Sequence, residues 1–198
     1  MVERRQTKRL IYVALFLALA AGLMFYRFLP LGGYGADFGM IEGAALVDYD
    51  DARGWSLPLP DLLLCLTLAW VLRRPDLLPA PIIAGYFFIE DILLLRPPGL
   101  WALIVLMGSE FLRRRSDQFR GYGFLHEYAL VAGLMLVMYL ANRAVLAIVI
   151  MPLEPLGLSF AHFLGTVLAY PVVVAISHFV FGLRKPATGE VDALGQKL

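Results

Sequence analysis

Cysteine and charge are what this 198-residue chain has least of: one cysteine, three histidines, and 17% charged residues. The single thiol, Cys65, lies inside an apolar run, so neither an intrachain disulfide nor a cysteine metal cluster can form. Redox chemistry and metal binding are not expected. Soluble domains average about 25% charged and roughly 45 to 50% apolar residues, whereas 60% of this chain is hydrophobic. Too little polar surface remains to wrap a core in water, which sets soluble folds aside. A formal net charge of +1 gives no global field to attract nucleic acid. Catalytic signatures are also missing: the chain has no GxSxG elbow, no HExxH, no P-loop and no Ser-His-Asp set on a recognisable scaffold. Neither an enzyme activity nor a cofactor is expected.

What the chain does have is long apolar runs. Leu10 to Tyr26 is 17 residues without interruption, preceded by Arg4, Arg5, Lys8 and Arg9. A signal peptide shares that pattern, but its apolar region spans only about 7 to 15 residues, so an uncleaved helix is the expectation. Six spans result, at about 10–28, 57–72, 77–95, 99–112, 125–151 and 156–183, each bounded by prolines, glycines or arginines. The predicted fold is an all-α polytopic membrane domain over 1–185, both termini cytoplasmic, with a short tail at 186–198. The fourth span is the weakest, because 14 residues rise only about 21 Å against a hydrocarbon core of roughly 30 Å. Charge placement rescues it: cytoplasmic loops collect Lys and Arg, and Arg113-Arg114-Arg115 would otherwise be stranded outside. With six crossings, 13 of the 17 basic residues fall inside. The one long outer loop, 29–56, carries Asp37, Glu42, Asp48, Asp50 and Asp51; it lacks the spacing of an EF-hand and reads as a solvated, partly disordered linker.

Ionisable groups at membrane depth cost several kcal/mol unless they are paired or reach water, so each needs a reason. Asp61, Glu90, Asp91, Arg143 and His162 all fall in the outer half. One reading pairs Arg143 with Asp91 or Glu90 and so fixes how the third and fifth spans pack. The other is a polar pocket open to the outside, receiving a ligand or a partner. A proton relay would need titratable groups across the full depth, so pumping is disfavoured. His126-Glu127 reads as interfacial and solvated, Glu110 and Arg114 as a surface pair, and His178 as a packing residue. Small residues recur every fourth position at Ala14, Ala18 and Gly22, and again at Ala161, Gly165 and Ala169, faces that allow close helix approach. The first of these faces is a candidate for contact with another protein.

Several stretches resemble one family, the bacterial rod shape-determining protein MreD. These are Pro60-Asp61-Leu62-Leu63-Leu64-Cys65, then Trp70-Val71-Leu72-Arg73-Arg74-Pro75, then Gly85 to Asp91, and Arg96-Pro97-Pro98-Gly99-Leu100-Trp101. A Pro-Asp opening a span, a tryptophan before basic residues and proline, and a Gly and Asp ahead of a Pro-Gly turn appear in the family's order. The resemblance covers the middle third; the last two spans share only hydropathy. It implies a non-enzymatic scaffold of the inner membrane that pairs with MreC, within elongation machinery containing MreB, RodZ, RodA and a class B penicillin-binding transpeptidase, and that helps position peptidoglycan synthesis to maintain cell shape. It further implies likeness to the substrate-capture subunits of energy-coupling-factor vitamin transporters, which makes a small-molecule-binding subunit the alternative.

Overall fold

The computed structural model describes residues 2–28, 59–116, 118, 122–151, 153 and 155–180, with side chains of the first helix described from 10 to 25. The acidic loop expected at 29–56 and the tail at 186–198 lie outside the described residues. Within them the regular structure is entirely helical: α1 (Val2–Phe28), α2 (Leu62–Arg73), α3 (Ala80–Leu93), α4 (Leu100–Arg115), α5 (Phe124–Ile148) and α6 (Leu156–Phe179), with a short 3-10 turn at Pro75–Leu77.

Each helix falls on one of the six apolar runs, but the lengths differ from those expected. α2 and α3 have only 12 and 14 residues, roughly 18 and 21 Å of rise. Asp61 caps the start of α2, and Pro79, in extended backbone, starts α3, so the flanks counted within the runs are not helical. α4 instead lengthens to 16 residues because Arg113, Arg114 and Arg115 continue the helix through its last turn, where cations complement the helix dipole. α5 and α6, at 25 and 24 residues, are long and apolar enough to cross a membrane.

The shortest helix is the core. Every residue of α2 from Leu63 to Arg73 is buried, so its sequence shows no polar face for a periodicity to detect. It runs parallel to α6: the Asp61 amide donates to Thr166 Oγ1 at 3.0 Å near one end, and Trp70 Nε1 donates to Ser177 Oγ at 3.3 Å near the other. α3 and α4 form an antiparallel hairpin, and α5 runs back against α6. α4 and α5 approach closely at Gly108, where a Cβ would sit 2.8 Å from the Met138 sulfur. α1 rests on this assembly through Phe16 and Ala20; Phe16 packs on Trp70 at 5.4 Å between ring centroids, and the Tyr86 hydroxyl of α3 donates to the Ala20 carbonyl.

Two helix ends break a local rule. α3 and α5 both close with a left-handed residue whose successor donates back five positions, Arg96 N to Asp91 O at 2.9 Å and Met151 N to Leu146 O at 3.0 Å. That turn favours glycine, yet the left-handed positions hold Leu95 (φ 52°) and Ile150 (φ 57°). Ile150 is 92% exposed, so little packing offsets the strain on a β-branched residue. Ile150→Gly is therefore expected to stabilise the protein by about 1 kcal/mol, visible as a higher thermal midpoint in detergent; an unchanged or lower midpoint counts against the strain.

Candidate functional site

The N-terminal ends of α2, α4 and α6 meet the C-terminal end of α5 around a pocket of about 410 Å³, a size suited to a small ligand or a lipid headgroup. Asp61 follows Pro60 at its floor. Its Oδ1 accepts from the Leu64 amide at 2.9 Å, capping α2. Thr166 accepts from the Asp61 amide and donates its hydroxyl to the His162 carbonyl at 2.8 Å. Tyr139 places its hydroxyl 3.5 Å from Thr166 Oγ1 and its ring between Trp101 (5.4 Å) and His162 (5.6 Å). One turn further along α5, Arg143 Nη1 donates to Ser159 Oγ at 3.2 Å. The i+4 spacing from Tyr139 to Arg143 and from His162 to Thr166 puts each pair on one helix face.

Of the five outer-half residues singled out, Asp61, Arg143 and His162 line this pocket, and Glu90 and Asp91 do not. Of the two carboxylates expected as partners of Arg143, Asp91 or Glu90, the first is corrected. Asp91 Oδ2 accepts from the amides of Gly99 at 3.0 Å and Ala102 at 3.2 Å. The cause is the turn after α3: Gly99, at φ +87°, swings the chain so that the first amides of α4 face back at Asp91, and helix-start amides attract a carboxylate. Glu90, its neighbour in sequence, is buried elsewhere on α3.

At the opposite end the sequence reading missed a buried cluster. Glu127, expected to be solvated, is 1% exposed and pairs with Arg73 at 2.8 Å. Tyr170 donates its hydroxyl to the same carboxylate oxygen at 3.0 Å, and Arg73 Nη1 also donates to the Ala69 carbonyl at 3.3 Å. One charge pair thus ties together α2, α5 and α6. The available signal was that Arg73 directly follows an unbroken apolar run. Arg113 leaves the basic triplet to donate to the carbonyls of Pro75 at 3.1 Å and Leu78 at 2.5 Å, fastening α4 to the turn after α2. Glu110 and Arg114 do meet, at 3.4 Å on an exposed surface, where such a pair is worth little.

The remaining motif residues divide by burial. Trp70 is fully buried, Pro75 is half-buried, and Gly85 and Pro98 are exposed, with nothing within 4 Å of a Cβ built at Gly85. On α1, Ala14, Ala18 and Gly22 all face outward with Leu10, Leu17 and Phe25. Among the described residues no group of three or more His, Cys, Asp or Glu is placed to hold a metal ion. The chain matches no family profile, no curated protein and no solved structure.

Proposed function

We propose that the chain is a six-pass protein of the bacterial inner membrane, both termini cytoplasmic, acting as a non-enzymatic scaffold in cell elongation. In this reading it binds MreC within the bilayer and, with MreB, RodZ, RodA and a class B penicillin-binding transpeptidase, helps place peptidoglycan synthesis. Membrane placement is supported by what faces outward. Only 17% of the most apolar stretch of α5 and 28% of that of α6 is buried, which does not fit core helices of a soluble protein. Outward-facing leucine, isoleucine and phenylalanine occur on several helices, among them Phe88 and Ile92 of α3, Leu136 and Leu140 of α5, and Leu164 and Ile176 of α6, more exposed apolar area than a water-facing surface ordinarily carries. Helices as short as α2 and α3 fit such a protein because neighbouring elements, the Asp61 cap of α2 and the closing turn of α3 satisfy polar groups at their ends.

The observation that carries the scaffold reading is α1. Its Ala14, Ala18 and Gly22 stripe is turned away from its own bundle, with nothing within 4 Å of a Cβ at Gly22, and small residues permit the close helix contact by which membrane helices associate. The test is a pull-down of MreC from detergent-solubilised membranes. Ala18→Leu combined with Gly22→Leu is expected to reduce recovery of MreC about tenfold, roughly 1.4 kcal/mol of lost packing, and to widen the cells, while leaving the thermal midpoint of the isolated chain in place. Full recovery of MreC with normal rods rejects the docking face.

The pocket favours one second reading, capture of a small molecule by a vitamin-transporter subunit. That reading predicts thermal stabilisation by a soluble ligand, whereas the scaffold predicts it from a membrane partner alone.

A further inference from the structure

The helices α2, α4, α5 and α6 finish level at one end of the bundle and at two heights at the other. At the level end Arg73, last in α2, pairs with Glu127 in the first turn of α5, and Arg113, in the last turn of α4, reaches the carbonyls of Pro75 and Leu78 just past α2. At the pocket end Asp61, which starts α2, is held by Thr166, and Trp101, near the start of α4, packs on Tyr139. Leu156–Thr166 of α6 and Tyr139–Ile148 of α5 therefore continue past the ends of α2 and α4, about 14 to 15 Å of helix. The pocket occupies the step that this leaves.

The two sides of the step make opposite demands on a membrane. The projecting α5–α6 hairpin turns Arg143, Ser159 and His162 toward the pocket and leaves Val145, Ile148 and Leu158 exposed outside its lining, so its far face belongs in hydrocarbon. The α3–α4 turn, at the foot of the step, carries Arg96, with Asp91 facing it, and an exposed Pro98 in non-helical backbone. Irregular backbone exposed to lipid is not found within the hydrocarbon region, so this turn belongs with headgroups. Its helices are too short to lift it to the level of the hairpin tip: 14 and 16 residues rise about 21 and 24 Å against roughly 30 Å of hydrocarbon, and Ile92, Leu103 and Met107 lie exposed along them. A bilayer accommodates a short lipid-facing segment by thinning around it. We propose that the chain thins one leaflet on its α3–α4 side, phospholipid headgroups dipping over the turn into the step while the α5–α6 side keeps the full thickness. The sign of the headgroup charge plays no part. This rests on the membrane placement proposed above, which makes the thinned leaflet the outer one.

The experiment attaches a nitroxide label to single added cysteines of the full chain, Cys65 being buried, in vesicles of dioleoylphosphatidylcholine containing a nickel-chelating lipid. The depth of each label is read from its relaxation by the headgroup nickel. The sites are Pro98→Cys at the turn, Ile150→Cys at the tip of the α5–α6 hairpin, and Leu164→Cys, exposed on α6 near the height of the turn but outside the pocket lining. The label at Pro98 is expected at the depth of the label at Ile150, whereas a flat bilayer puts it about 10 to 15 Å deeper; the label at Leu164 should stay in hydrocarbon. A Pro98 label as deep as the Leu164 label overturns the proposal. So does one reached by a soluble nickel chelate but not by lipid-borne nickel, which means a step filled with water alone. If Pro98→Cys does not fold, Leu103→Cys, exposed one turn into α4, decides: thinning makes its label shallower than that at Leu164, and a label deeper than that at Leu164 overturns the proposal. A chain that fails to float with the vesicles defeats the membrane placement itself, whereas a floating chain whose turn lies in hydrocarbon defeats the thinning alone.

Discussion

Glu127→Ala is expected to destabilise the protein by roughly 3 to 5 kcal/mol, because it leaves the Arg73 guanidinium buried without its carboxylate. The ion pair is 2.8 Å long, and its side chains are 7% and 1% exposed, so water cannot take the place of the missing partner. Tyr170 loses its acceptor in the same step, adding the penalty of an orphaned buried hydroxyl. In thermal unfolding in detergent this should appear as a fall of about 10 °C or more. Removing both charges together, as Arg73→Met with Glu127→Leu, should recover much of the loss, since apolar replacements of similar volume often match or exceed a buried pair. A single variant that melts with the unmodified chain, or a double variant worse than the single one, is incompatible with a buried charge pair.

The second large effect belongs to Asp91. Its Oδ2 serves two amides at the start of α4, and hydrogen bonds to a charged group each contribute about 1.5 to 3 kcal/mol. Asp91→Ala should therefore cost about 3 kcal/mol or more. Asp91→Asn, which keeps one carbonyl oxygen to accept those amides, should cost about half as much. If the residue instead held Arg143, alanine and asparagine would be similarly damaging, because neither supplies a charge. Amide hydrogen exchange at Gly99 and Ala102 separates the cases: the alanine variant should lose protection there, the asparagine variant much less.

Much of the architecture was legible because six apolar runs with turn-forming residues between them leave few alternatives. The second run counts from 57, but α2 begins only after Asp61, whose side chain caps it, a local device that hydropathy does not register. The destination of Asp91 was harder to see. Its depth in the span was readable, but its partner depends on how the Pro97-Pro98-Gly99 turn aims the first amides of α4, and no hydropathy pattern encodes that direction. Glu127 was misread for a related reason. It stands one residue from His126 at the end of a run, where solvation is the ordinary expectation, and Arg73, its partner, is 54 positions earlier in the sequence. Tyr139, Trp101 and Thr166 were overlooked because aromatic and hydroxyl side chains within apolar runs carry no signal until their rings and oxygens are brought together. Asp61, Arg143 and His162 did share a location, since similar depth on helices that pack as neighbours brings side chains to one level.

The parallel seating of α2 against α6 dictates an order of assembly. The partners of α2 lie 101 to 107 residues downstream: Thr166 receives the Asp61 amide on its hydroxyl and the Cys65 thiol on its carbonyl, and Ser177 receives the Trp70 indole. While the ribosome is still making α3, α4 and α5, the centrepiece of the bundle therefore has no sixth helix to lean on. A nascent chain halted before Leu156 should be loose and open to proteases, and locking should come late and all at once, when the final helix slides in beside the second.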